Sequence, residues 1–209
     1  MCRSKILFTR IDQREWEFDY SLLPSALRER ISTFKQRRDR AARIAAYALL
    51  SKALLAVTGT HAELDSFVYS SSGRPSLPAF QSIDFNLSHS GDYALCGVLS
   101  GGRIGVDIER VESIDLEEGR AAFSAVAWQR IIESPQPREA FYRAWTRMEA
   151  VAKAEGFGIA GPVKSFCDKD TYFTCGERSW HVLEVLIAGY SCHIASSRPL
   201  SLADVDEVI

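Results

Sequence analysis

Two carboxylates sit two residues apart in an apolar run, Gly105-Val106-Asp107-Ile108-Glu109. Side chains at i and i+2 of a strand point to the same face. Two acids side by side there repel each other and lose hydration. A cation between them removes both penalties. Hard oxygen ligands with little His or Cys nearby suit Mg²⁺ or Mn²⁺, shared with a phosphate substrate. The plainer alternative is that both acids face solvent, although Asp is disfavoured inside strands.

A second constellation is helical. Phe141, Trp145, Met148 and Ala152 recur at i, i+4, i+7 and i+11, an apolar stripe that faces a core. Glu149 and Lys153 form an i, i+4 pair beside it. Such a pair alone is a surface salt bridge worth about 0.3–0.5 kcal/mol. Its chemical reading is a third carboxylate for the metal and an ammonium for a phosphate. His89 lies in Leu87-Ser88-His89-Ser90, a strand end rich in hydroxyls that suits a phosphate or diphosphate. A lone His is more often structural, and no acid stands at triad spacing. Arg74 in Gly73-Arg74-Pro75 is either a base- or phosphate-contacting guanidinium on a rigid turn or an ordinary exposed turn. Arg43, among many basic residues of one helix, is equally open. His61, His181 and His193 show no zinc spacing, and neither a P-loop nor a GxGxxG occurs.

The elements that must position these groups are readable in outline. Strands are expected over 5–10, 66–70, 83–87, 93–99, 103–109, 171–174, 179–187 and 190–196. Helices are expected over 22–31, 36–57, 116–122, 124–133 and 139–154. Gly59 ends the long second helix, and turns fall at Ser90-Gly91-Asp92, Gly101-Gly102, Gly176 and Gly189. Residues 198–209 read as a mobile tail or a short edge element. Two similar rounds of helix and strand join near 109–115, with no repeat strong enough to prove duplication.

At 209 residues, 46% apolar and 25% charged, the chain has the profile of a globular protein with a sizeable core. A net charge of -2 argues against a general nucleic-acid binder. No apolar run reads as a membrane span, and the start is too short for a signal peptide. Five cysteines without CxxC spacing read as reduced thiols, which points to the cytoplasm.

The order Gly73-Arg74-Pro75, Phe85-Asn86-Leu87-Ser88-His89-Ser90, Gly105-Val106-Asp107-Ile108-Glu109 and Trp145-Thr146-x-x-Glu149-Ala150-x-x-Lys153 resembles the 4'-phosphopantetheinyl transferases of the surfactin-synthetase-activating (Sfp) type. The likeness spans about residues 20–196. Each motif alone is weak; all of them in this order are specific. The resemblance implies an α/β (α+β) fold with a pseudo-twofold arrangement of two halves, 1–109 and 110–209, each a small antiparallel sheet packed on a long helix, acting as a monomer. It implies Mg²⁺-dependent transfer of phosphopantetheine from coenzyme A to a serine of an apo acyl or peptidyl carrier protein, releasing adenosine 3',5'-bisphosphate. Asp107, Glu109 and Glu149 would hold the metal. Lys153 would contact the diphosphate. Ser88 and His89 would bind phosphates, with Arg43 at the 3'-phosphate and Gly73, Arg74 and Pro75 beside the adenine. Asp107, Glu149 and Lys153 would carry the catalysis, Glu149 as the base.

Two positions depart from the family's pattern. Met148 stands where Lys is usual, and Ala127 stands where a Glu is frequent. Losing both partners of an ion pair avoids stranding one buried charge. The other reading is that Met148 removes a phosphate contact and slows catalysis. That second reading would leave a weakened relative that binds coenzyme A or a carrier without efficient transfer. A metal-dependent phosphohydrolase would need a water-activating arrangement that the sequence does not show.

Overall fold

The computed structural model describes residues 3–11, 23–61, 64, 67–71, 73–156, 172–175 and 178–208. Along the chain run β1 (Ser4–Arg10), α1 (Ser25–Ser32), α2 (Arg37–Thr58), β2 (Val68–Tyr69), β3 (Pro75–Ser76), β4 (Ile83–Ser90), β5 (Tyr93–Ser100) and β6 (Ile104–Arg110). They are followed by α3 (Ala125–Ile132), α4 (Pro137–Glu155), β7 (Tyr172–Cys175), β8 (Arg178–Glu184), β9 (Tyr190–Ser196) and β10 (Val205–Glu207). The fold is mixed α/β. Two four-stranded sheets have the orders β10-β1-β5-β4 and β6-β9-β8-β7. The turn expected at Gly176 lies outside the described residues.

Strand alternation sets the layers. In the first sheet Leu7, Phe85, Cys96 and Val98 pack against α2, whose Leu49, Leu50 and Leu54 are fully buried. The intervening residues Ile6, Leu95 and Leu99 face the other way and meet Ile104, Val106, Ile108 and Ile194 of the second sheet. Gly97 makes that sheet-to-sheet approach close: an added Cβ would stand 2.7 Å from Val106 Cγ1. On its outer face the second sheet carries α4, where Ala150, Val151 and Ala154 pack with Trp180, Val182 and Ala195. The order of layers is therefore helix, sheet, sheet, helix. By length and composition α2 could cross a membrane. Ten of its 22 residues are instead buried in this core.

Two expectations need correction, the wholly antiparallel sheets and the helix over 116–122. β6, reached through the turn at Gly101-Gly102, pairs antiparallel with β9 of the second sheet. That pairing sets Asp107 opposite His193 and Glu109 opposite Ser191. The C-terminal stretch is the edge element: β10 returns to the first sheet and pairs parallel with β1, so that sheet is not wholly antiparallel. Residues Leu116–Ala122 form a 3₁₀ turn instead of an α-helix. Gly119 lowers helix propensity there, and the Phe141 ring occupies the space where its Cβ would stand, 2.5 Å away.

β4 and β6 are the edges at which the two sheets meet, and an edge strand leaves backbone groups unpaired. Here side chains of β4 take the role of a strand. Asp84 accepts from the Ile104 N–H at 2.8 Å, Asn86 from Val106 at 2.9 Å, Ser88 from Ile108 at 3.4 Å and Ser90 from Arg110 at 3.1 Å. The offset is 20 residues in every case. The outward carbonyls of β6 are met from the same seam. Arg74 donates to Ile104 O at 2.8 Å and Lys153 to Val106 O at 3.2 Å.

Candidate active site

The seam opens into a cavity of about 240 Å³, to which four elements contribute. α2 brings Arg43 and Tyr47, β4 brings Ser88 and His89, β6 brings Asp107 and Glu109, and α4 brings Lys153. The alternation of β6 decides which groups arrive. Ile104, Val106 and Ile108 enter the core between the sheets. Gly105, Asp107 and Glu109 therefore face α4. Lys153 can reach Asp107 because Gly105 lets the helix lie directly on the strand. A Cβ there would come closer to Ala150 O and Ala154 N than the 3.0 Å limit of real Cβ contacts. The Lys153 ammonium donates to Asp107 Oδ1 at 2.5 Å and to Ser88 Oγ at 3.1 Å.

The cavity is electrically mixed. Asp107 is 3% exposed, and its Oδ2 has no hydrogen-bond partner among the described residues. Burial, and then the neighbouring Asp107, pushes the Glu149 carboxyl above its usual range. Glu109 is also pushed up, mainly by burial. His89 is held below the usual imidazole range by burial and by the nearby cations Arg43 and Lys153. Arg43 lays its guanidinium 3.8 Å from the Phe34 ring centroid, and its buried Nε has no partner among the described residues. Two cations beside an imidazole attract anions, while the acids opposite attract a cation.

Several expected site residues are not drawn together. Glu149 is buried beside the acidic pair but does not line the cavity. Among the described residues no group of three His, Cys, Asp or Glu side chains stands ready to hold a metal. Two protein donors explain this arrangement: Lys153 takes Asp107, and the Ser90 hydroxyl donates to Glu109 Oε2 at 2.7 Å. The donor set nevertheless fits a hard cation. It is all carboxylate, it carries a buried oxygen without a partner among the described residues, and burial raises the pKa of Glu109 and Glu149.

Gly73-Arg74-Pro75 does not line the cavity. Gly73, at φ +80, turns the chain inward. The Arg74 guanidinium then bonds Asp84 at 2.6 Å and also donates to Ile104 O and Lys153 O. Arg103 donates to Ala154 O at 2.8 Å. Two arginines held near one aspartate thus cap the C-terminal carbonyls of α4, where cations suit the helix dipole. Ser88 lines the cavity, yet its hydroxyl already serves Asp107, Lys153 and Ile108.

Met148 is buried at 8% exposure in the apolar cluster of Val151, Trp180 and Val182, with Trp145 alongside. Ala127 packs in a neighbouring cluster that also includes Trp145. Met148→Lys is therefore expected to lower unfolding free energy by about 3 kcal/mol, the order of an uncompensated buried charge. Adding Ala127→Glu should recover part of that loss. Urea unfolding of the two single variants and the double variant reads the coupling directly.

A polar node on the same helix gave no sequence signal. Thr146 Oγ1 donates to Tyr142 O at 2.9 Å. That bond uses its one proton, so Ser191 Oγ donates to it at 2.8 Å and His193 Nδ1–H at 2.7 Å. Burial lowers the His193 pKa to about 3, and Arg147 and Arg143 add to the effect. Across the sheet it is flanked by Asp107 and Glu184. The unfolded chain therefore binds a proton that the folded state refuses. Stability contributed here is present above pH ~6.5 and falls by about 1.4 kcal/mol per unit as pH drops toward 3. In urea unfolding at pH 7 and pH 5, His193→Gln should flatten the pH dependence by that slope.

Comparison with known proteins follows the two-sheet arrangement. Residues 10–99 match the N-terminal 4'-phosphopantetheinyl transferase family, and residues 103–197 match the 4'-phosphopantetheinyl transferase superfamily. The chain is 36% identical over 96 residues to 4'-phosphopantetheinyl transferase psf-1 of Bacillus pumilus, covering 45% of this chain and 41% of that protein. It is 33% identical over 96 residues to 4'-phosphopantetheinyl transferase Sfp of Bacillus subtilis (strain 168), covering 45% and 42%. The chain thus spans about two fifths of those two relatives. Against 4'-phosphopantetheinyl transferase AcpT of Salmonella typhimurium it is 35% identical over 138 residues, 64% of this chain and 67% of that protein. With both sheets matched and the motifs of the cavity in order, the chain belongs to the 4'-phosphopantetheinyl transferase superfamily, in its Sfp-type branch.

Proposed function

We propose that this protein transfers the 4'-phosphopantetheine group of coenzyme A to a serine of an apo acyl or peptidyl carrier protein, with Mg²⁺ or Mn²⁺, and releases adenosine 3',5'-bisphosphate. The observation that carries the reading is one cavity in which Asp107 and Glu109 face Lys153, Arg43 and His89. A diphosphate bridged to a hard cation needs both signs of charge at once. The cavity is smaller than the roughly 300–1,000 Å³ of drug-sized pockets, so it suits the diphosphate portion, with the rest of coenzyme A outside it.

Asp107, Glu109 and Glu149 would hold the metal, which when bound neutralises diphosphate charge. Arg43 and His89 hold phosphate oxygens, and the orphaned Arg43 Nε supports that role. Lys153 turns from Asp107 to the diphosphate and compensates the charge of the leaving bisphosphate. Glu149, with its raised pKa, accepts the proton of the carrier serine as its oxygen bonds to phosphorus and the bond between the two phosphates breaks. Arg74 acts from inside the fold, and an adenine contact would fall to the backbone around Gly73 and Pro75. The reading extends to a monomer in the cytoplasm with two similar halves in pseudo-twofold relation, supported by one long helix on the outer face of each sheet.

The test is intact-mass spectrometry of an apo carrier protein incubated with this protein, coenzyme A and Mg²⁺, with a chelated control. A metal-dependent gain of about 340 Da establishes the transfer. Free phosphopantetheine without carrier modification would establish a hydrolase instead. Binding of coenzyme A with no gain on fatty acid, polyketide and nonribosomal peptide carriers would mark a weakened relative.

A further inference from the structure

The seam between β4 and β6 does more than join the sheets. Of its four side chains, Asn86 has a single partner among the described residues, the Val106 N–H. Ser90 has two among them. It accepts from the Arg110 N–H at 3.1 Å and donates to Glu109 Oε2 at 2.7 Å. The two bonds are linked. The backbone donor occupies the acceptor side of the hydroxyl, so the hydroxyl proton is left to point at the carboxylate. Glu109 is near the end of β6 and only half-buried, and a Glu carries three rotatable side-chain bonds. Asp107, by contrast, is fixed by Lys153 as well as by Ser88. The bond from Ser90 is the one hydrogen bond to the Glu109 carboxylate among the described residues.

We propose that Ser90 is a positioning residue that registers the Glu109 carboxylate for a divalent cation, using the seam as its reference. The inference rests on the metal reading given under the proposed function. Alanine at this position frees both the Arg110 N–H and the carboxylate. Threonine keeps the hydroxyl and both bonds.

Mn²⁺ binding, read from loss of the free Mn²⁺ electron paramagnetic resonance signal, tests this without coenzyme A, carrier or turnover. Ser90→Ala, Ser90→Thr and Asn86→Ala are compared with the unmodified protein, each with a urea unfolding curve. Ser90→Ala is expected to weaken Mn²⁺ affinity about 10–100-fold, the range for lost partners of ligating carboxylates. Ser90→Thr should restore it. Asn86→Ala should lower the unfolding midpoint and leave Mn²⁺ affinity within about 3-fold, below the effect of a lost ligand partner. Equal weakening by Ser90→Ala and Asn86→Ala would make the seam merely structural and overturn the proposal. Unchanged affinity in Ser90→Ala, with the unmodified protein binding, would overturn it while leaving the metal reading intact. No Mn²⁺ binding by the unmodified protein would overturn both.

Discussion

Glu149→Gln is expected to abolish most of the transfer and, in the same protein, to raise thermal stability in metal-free buffer at pH 7. The two effects share one cause. The carboxyl is buried, and Asp107 beside it raises its pKa further. Charge there is costly to the fold and useful to the reaction, the usual trade at a functional site. Lys153 offsets it only in part, because its short ion pair is with Asp107. Neutralising Glu149 therefore strands no partner, and the glutamine keeps shape and hydrogen-bonding capacity. Loss of a general base costs about 10²–10⁴-fold in rate. Carrier modification followed by mass gives the rate, and a melting curve in chelator gives the stability. A variant that turns over normally would remove Glu149 from the base role. A variant that loses activity and also melts lower would show that the carboxylate had been supporting the fold.

The pattern of the site was more legible than its wiring. The acidic pair could be read because a strand's period of two is unambiguous, and Asp107 and Glu109 do share a face. The stripe of α4 was equally clear: Phe141, Met148 and Ala152 are buried. Glu149 is buried as well, which a helix wheel assigns to the stripe's border. What could not be read depends on which strand edges meet. The sequence shows Asp84, Asn86, Ser88 and Ser90 at alternate positions. It does not show that their partners are the N–H groups of another sheet. Without that, Ser88 looks like a phosphate ligand, and its commitment to Asp107 and Lys153 stays hidden. Arg74 misled for a similar reason. A guanidinium on a Gly-Pro turn looks exposed until Asp84 and the end of α4 are placed beneath it. The Thr146–Ser191–His193 node joins residues up to 47 apart by shape alone.

Gly105→Ala is expected to be the most damaging added methyl among the described glycines, for a reason that differs from most of them. Gly59, at φ +75, has open space around it, so an alanine there meets only the left-handed backbone penalty of about 1–2 kcal/mol. Gly105 has no such φ, and its limit is space. The atoms in the way are the Ala150 carbonyl oxygen and the Ala154 amide nitrogen, both backbone of α4. A side chain could rotate aside, but a helix must move as a body, on the order of 1 Å, against a packed sheet. The movement would break the apolar contact of Ala150 and Ala154 with the second sheet and lengthen the reach from Lys153 to Asp107. Overpacking of this kind costs about 3 kcal/mol or more. A displacement of 1 Å in catalytic groups lowers rate by roughly 10²-fold. Urea unfolding of Gly105→Ala and Gly59→Ala side by side separates space from conformation. Transfer assayed at low temperature, where both variants are folded, separates misplacement from unfolding. If Gly105→Ala costs no more than Gly59→Ala and turns over normally, the direct seating of α4 on β6 is not what aligns Glu149 and Lys153 with Asp107.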